Sequence, residues 1–486
     1  MKTNPISAVA SALLTCALIV TSCAKDVETD INVDPVGSAI SFSPAVGHTT
    51  RATETKIGNL GDFAVVARGM HPNGVLYDNY LIGSSTGGDI AKREGTIGNG
   101  ATSGTWKLDN KTIYWPSALE NVLFFAYTTL KDGDSYAGKN VLGTNDGKST
   151  PTLGFNGDNP YINNFKPSKT TIGAAKEGES VWADGEKQKD LLIAFTEQSR
   201  STSATNVPIV FNHALTQVSI LATSNGNKDN RIVKIKGAWI VNATDAGNLV
   251  TTSERSGDDD KIVEITNEWE LPESAGKTTF GSFYTDILQL NDGNTDLLFD
   301  HSLMIIPENL TAWNKKGGND NNNGAYIMLL CRVELEHDGV RHEGDTSNPN
   351  LNDIAIEGDK HYHQLFPVNE TEFDGAEYGF VCVPLESDWK TNGIGKHYTY
   401  KLNICGNGTG AGQYPPEMTT EDVNKLVPTG TEVSVVGGAT QPLKVVTTIP
   451  SNKHVGDNVL DDPIQFTVTV NAWDEPENWT QGTGNF

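Results

Sequence analysis

Cysteine is scarce in this chain of 486 residues, with five in all. None are spaced C-x-x-C, so zinc ribbons and dithiol redox centres find no support. Long apolar runs are also missing. The longest, from Ala8 to Val20, falls short of the roughly 20 residues a membrane-spanning helix needs. Helical periodicity is almost absent. The best candidate is the short TTEDVNKLV, with Thr419 or Thr420 as N-cap ahead of Glu421 and Asp422. There is no GxSxG, HExxH or serine–lysine motif. The glycine-rich stretches at 98–104 and 406–412 lack the lysine–serine ending of a phosphate loop. No enzyme and no cofactor is expected from such a chain. Positive charge is short as well: 36 Lys and Arg against 61 Asp and Glu, a net charge of −25. That surface repels nucleic acid and anionic lipid, so neither is expected as a partner.

What is present begins with an export leader. Lys2 precedes the apolar run, and Val20-Thr21-Ser22-Cys23 follows it, the layout of a secretory signal. The last four residues resemble the bacterial lipobox. That resemblance implies a leader at 1–22 and a diacylglycerol thioether on Cys23, which would hold the mature chain on the outer membrane. Cys16 leaves with the leader. Cys331, Cys382 and Cys405 remain, each in a strand-like run: YIMLLCRVEL, YGFVCVPL and YTYKLNIC. They read as buried thiols; one disulfide with a spare is the other arrangement an odd number allows.

The rest of the chain is punctuated by turn clusters such as HPNG, TNDGKST, SNGNKDN and KKGGNDNNNG. Between them lie short apolar or alternating runs: DFAVVA, NVLFFAY, DLLIAFT, QVSILAT, IVKIKGAWIV and IQFTVTV. Short strands separated by turn residues predict an all-β protein built as sandwiches, with little helix. No repeat of fixed period stands out. Residues 23–51 form a polar tether that carries one strand-like segment, SAISFSPAV. EQSRSTSATN is polar and unpatterned. The expected division is therefore an N-terminal sandwich at 52–205 and a C-terminal one at 206–486.

An ordered set of segments resembles the fimbrillin family of Bacteroidetes, the type V pilins. After the lipobox and a strand before HTTRA come GNLGDFAVVA, IYWPSALENVLFFAY, DLLIAF and VPIVFNHALTQVSILA. IKGAWIVNATDAGNL, HYTYKLNI and PIQFTVTVNAWDE complete it. The resemblance implies two transthyretin-like β-sandwich domains and a lipidated precursor cut by a trypsin-like protease. It places the cut at Arg51-Ala52. The segment AISFSPAV would then be displaced, and a C-terminal strand of a neighbouring subunit, from within 443–486, would fill the groove. The partners implied are other pilus subunits, the processing protease and, before cleavage, the outer membrane; an adhesion ligand is not specified.

The residues suit such an exchange. Ile40 and Phe42 alternate with Ser41 and Ser43, and Ile464, Phe466, Val468 and Val470 alternate with polar neighbours, so each segment has one apolar face. The segment 463–473 also reads as an ordinary strand of the C-terminal sandwich, which leaves its flanks as donors. His361 and His363 share a strand face, with His342 and Glu343 close in sequence; two histidines at that spacing assign no metal. SGDDDK and NDNNNG lack the spacing of a calcium loop and read as solvated turns. Trp115, Trp239 and Trp473 sit inside strand patterns and read as core. A surface glycan-binding lipoprotein is the alternative function, marked by exposed aromatics grouped on one face. A surface hydrolase, which needs paired carboxylates in a cleft, is a further one.

Overall fold

The computed structural model describes residues 38–472 except 47–59, 72–75, 96–103, 131–151, 168–181, 184–187, 200–205, 225–229, 258–261, 316–319, 340–352, 369–374, 405–411, 461–464, the pairs 300–301 and 436–437, and the single positions 86, 118, 120, 158, 189, 354 and 358. Within them the protein is nearly all strand, as the turn-punctuated pattern predicts.

The first sheet takes β1 (Phe42–Val46), β2 (Phe63–Met70), β3 (Leu76–Ile82), β4 (Asp89–Arg93), β5 (Trp106–Leu108), β6 (Asn121–Leu130), β10 (Asp190–Ser199) and β11 (Val207–His213). Its order is β3-β2-β4-β5-β1-β11-β10-β6, and β6 pairs again with β2. The sheet therefore curls until β6 meets β2, a ring rather than an open sandwich layer, with β3 paired alongside on β2. Closure removes exposed edges, which are otherwise templates for unwanted pairing. The ring encloses Phe63, Val65, Trp106, Phe124, Leu192 and Phe211 with Ile40 and Phe42.

The strands β2, β6 and β10 are buried on both faces. All eight positions of β2 are buried, which is why its first five residues, FAVVA, read as a continuous apolar run instead of alternating. Its outward residues Ala64 and Val66, with Phe125, Leu191 and Ile193, meet Leu153, Ile162, Leu249 and Trp269. Those partners come from a four-stranded sheet of β7 (Thr152–Asn156), β8 (Asn159–Phe165), β14 (Gly247–Arg255) and β15 (Ile262–Glu270).

Two further sheets form a sandwich. One holds β12 (Thr216–Ser224), β17 (Thr295–Asp296), β18 (Leu303–Ile305), β23 (Lys396–Ile404) and β27 (Gln465–Ala472). The other holds β9 (Trp182–Ala183), β13 (Arg231–Thr244), β16 (Lys277–Gln289), β19 (Tyr326–Asp338), β20 (Ala355–Glu357), β21 (Lys360–Phe366), β22 (Glu377–Pro384) and β26 (Lys444–Val446). Val218, Ile220, Tyr400 and Leu402 from the first meet Val233, Ile235, Ile327 and Leu329 from the second. The second sheet's other face packs Trp239, Met328, Tyr378 and Phe380 under α2 (Thr420–Leu426) and the hairpin of β24 (Glu432–Ser434) and β25 (Thr440–Pro442). Thr419 caps α2 in a reciprocal box with Asp422, one of the two caps expected. The other helix, α1 (Trp389–Asn392), is a single turn whose Trp389 is buried.

The division expected after residue 205 separates β10 from β11, which are neighbours in the ring. The polar stretch there joins these two paired strands, and the ring runs on to His213. Residues 152–165 likewise leave the ring to pair with β14.

Candidate functional site: the seat of the first strand

The described residues begin at Ser38, which already pairs with the ring. Trp115 N–H donates to Ser38 O at 3.1 Å, and Ile40 N–H donates to Ile113 O at 2.8 Å. On the other side Val207 N–H donates to Ser41 O at 2.7 Å, and the Ser41 hydroxyl donates to Asn206 Oδ1 at 2.5 Å. From there β1 runs parallel to β11, from Phe42↔Val207 to Val46↔Phe211.

Alternation then sorts the side chains. Ile40, Phe42 and Pro44 are buried, while Ser43 and Ala45 are half-buried on the outside. The Phe42 ring meets Phe63 edge-on at 5.7 Å between centroids and Phe124 at 6.1 Å. Fully burying an Ile or Phe side chain is worth about 1.5–3 kcal/mol. Ile40 and Phe42 together therefore contribute about 3–6 kcal/mol, a large share of an ordinary domain's stability of about 5–15 kcal/mol.

The seat is lopsided. Five residues of β1 are in register with β11, but only Phe42 is in register with β5, opposite Trp106. Because Val207 N–H reaches Ser41 O, residues 41, 43 and 45 turn their amides toward β11 in a parallel ladder, and 42, 44 and 46 turn theirs away. Pro44, which has no amide hydrogen, thus costs no bond to β11 and stands where the β5 pairing has ended. Parallel pairing is also slightly weaker per residue than antiparallel pairing. The first strand is held by a buried apolar face and a ladder on one side.

The other expected residues fall as follows. Cys23, Arg51, Ala52, His342, Glu343, Cys405 and Trp473 lie outside the described residues. The described chain resumes at Leu60, whose side chain joins the ring's core. Cys331 and Cys382 are buried and outside any disulfide, on opposite faces of one sheet. Strand β27 pairs antiparallel with β23 and is the last strand of its sheet's path. Trp115 and Trp239 are core residues, as are Trp106, Trp269, Trp313 and Trp389. Among the described residues, then, these rings build no aromatic platform. His361 and His363 lie together with His337 and Asp353.

Two features of the seat were not foreseen: Asn206, and the pairing of β1 with VPIVFNH. The only sequence signal for the second was the strict alternation of β11, whose residues 207, 209 and 211 are buried while 208 and 210 are exposed.

The geometry defines an all-β protein whose first ring is completed by a short strand from its own N-terminal region. The chain belongs to the fimbrillin-like family, whose model matches residues 50–312. Among solved structures it is similar to a fimbrial protein from Bacteroides vulgatus at 14% identity and a TM-score of 0.37, covering 75% of this chain and 94% of that one. A fimbrial assembly protein from Parabacteroides distasonis is similar at 9% identity and a TM-score of 0.24, covering 75% and 91%. No curated protein matches the chain.

Proposed function

We propose that the protein is a subunit of a type V pilus, exported as a lipoprotein through Cys23 and assembled by strand exchange after a cut at Arg51-Ala52. The observation that supports this most is the seat of β1: a separable segment, buried on one face, inside an otherwise self-contained ring. Cutting the connection between β1 and β2 turns an internal strand into a bound peptide. Its effective local concentration is then lost, and a strand from another subunit competes for the groove. The donor comes from 443–486 of the neighbour; where β27 keeps its place on β23, the flanks of that strand serve instead. Such a subunit works at the outer membrane surface and in the fimbria, and adhesion follows from the polymer.

Mild trypsin should give a product beginning at Ala52 that forms a ladder of SDS-resistant oligomers, while Arg51→Ala remains monomeric. Cleaved protein that stays monomeric at high concentration, with groove and tail intact, would refute assembly by exchange.

A further inference from the structure

The histidines passed over in sequence form a cluster on the sheet of β19 and β21, far along the chain from the strand seat. Antiparallel register sets His337 directly opposite His361, which puts both side chains on one face, and His363 lies two residues further along that face. Asp353 arrives just before β20, which pairs with β21 at Ile356↔His361. Its carboxylate is wholly buried. His337 Nε2 lies 3.0 Å from Oδ1, His361 Nδ1 lies 2.8 Å from Oδ2, and His363 Nε2 lies 3.5 Å from Oδ1. The His337 ring stacks on His363 at 4.5 Å and on His361 at 5.2 Å.

We propose that His337, Asp353, His361 and His363 form a binding site for a divalent transition metal of the zinc type. The donor set has the right character: imidazole nitrogens with one carboxylate favour zinc-like ions, whereas calcium and magnesium take oxygen ligands. The spacing also fits. Zinc holds nitrogen and oxygen at about 2.0–2.2 Å, so the edge of its tetrahedron is about 3.3–3.5 Å long. The nitrogen-to-oxygen distance of 3.5 Å matches that edge, and those of 2.8 and 3.0 Å fall short of it by a few tenths of an ångström. One ligand atom from each of His337, Asp353 and His361 lies within 4.8 Å of the others.

Binding needs small outward movements and a change of proton position. His337 and His361 must present a lone pair where they now face the Asp353 carboxylate, so a neutral ring moves its proton to the other nitrogen and a protonated ring releases one. His337, the most open of the four with its side chain 20% exposed, gives the ion a way in. The bound metal would fasten Asp353 to the paired strands β19 and β21.

The test uses the purified protein stripped with chelator and titrated with ZnCl2 or CoCl2. Expected are one zinc ion per chain by calorimetry and elemental analysis, an intense visible band of tetrahedral cobalt, and no displacement by excess CaCl2. Asp353→Asn and the double change His337→Gln, His361→Gln should each weaken binding at least tenfold, roughly the scale seen for outer-shell losses, with an unchanged circular dichroism spectrum without metal. Two results would overturn the proposal: binding undiminished in both variants, or a weak octahedral cobalt spectrum in the unaltered protein. The second holds even where a variant does not fold.

Discussion

Replacing Phe42 with alanine probes the strand seat most directly. The side chain is fully buried and meets the rings of Phe63 and Phe124 edge-on. Truncating a buried Phe costs about 3–5 kcal/mol in lost transfer energy and residual cavity. For a unit of a few hundred residues that is about 2–4 °C of melting temperature per kcal/mol, hence roughly 6–20 °C. The uncut protein carrying Phe42→Ala should melt lower by that amount, whereas Ser43→Ala, on the outer side of the same strand, should change stability by less than about 0.5 kcal/mol. After cleavage at Arg51 the weakened strand should leave faster, so oligomers form sooner than in the unaltered protein. Once the strand is gone the two proteins have the same sequence from Ala52 and should melt together. Differential scanning calorimetry before cleavage and gel analysis after it read both halves. A loss below about 1 kcal/mol in the uncut protein would show that Phe42 does not complete the ring's core.

Three further outcomes are open to measurement. Burial pushes the His397 imidazole down to about 4 from 6.5, beside the Ser219 hydroxyl at 2.8 Å. Its folded pKa lies below the unfolded one, so its contribution is present above about pH 6.5 and is lost as pH falls toward 4, on the order of 3 kcal/mol in all; His397→Gln should flatten that part of a pH–stability curve, and an unchanged slope would discount the burial. Thr419→Ala removes the cap of α2, whose hydroxyl accepts from Asp422 N–H at 3.2 Å, and should lower the urea midpoint by about 1 kcal/mol's worth without changing the slope. Cys331 and Cys382 should resist a thiol reagent until denaturant is added, since both are buried and burial pushes the Cys382 thiol well up; prompt labelling of the folded protein would contradict their placement.

How much of this was legible depends on the range of the signal. Strands with one wet face, such as β11, show in the alternation of VPIVFNH, and the cap of α2 shows in four consecutive residues. Ile40 and Phe42 could be placed on one face because Ser41 and Ser43 separate them. Pairing could not be read, because nothing in FSPAV names VPIVFNH as its partner. The same limit split β10 from β11 at a polar connection, since a linker and a hairpin loop share one composition. It also directed attention from His361 and His363 to His342 and Glu343, near in sequence. His337 stands opposite His361 only because β19 and β21 pair in that register; the apolar run YIMLLC upstream of LEHD was the nearest available sign.

The partnership of Ser41 with Asn206 joins residues 165 positions apart, and this sets a schedule for the molecule. The first strand is synthesised early, yet its ladder partner is made only after the rest of the ring. Until then its apolar face has no home. Bringing so distant a pair together costs about 4–5 kcal/mol of chain entropy, and contacts of long sequence separation form slowly. The ring is therefore sealed late, by the strand of the ring that was synthesised first. Losing that strand after folding would undo the last step and leave the earlier ones in place.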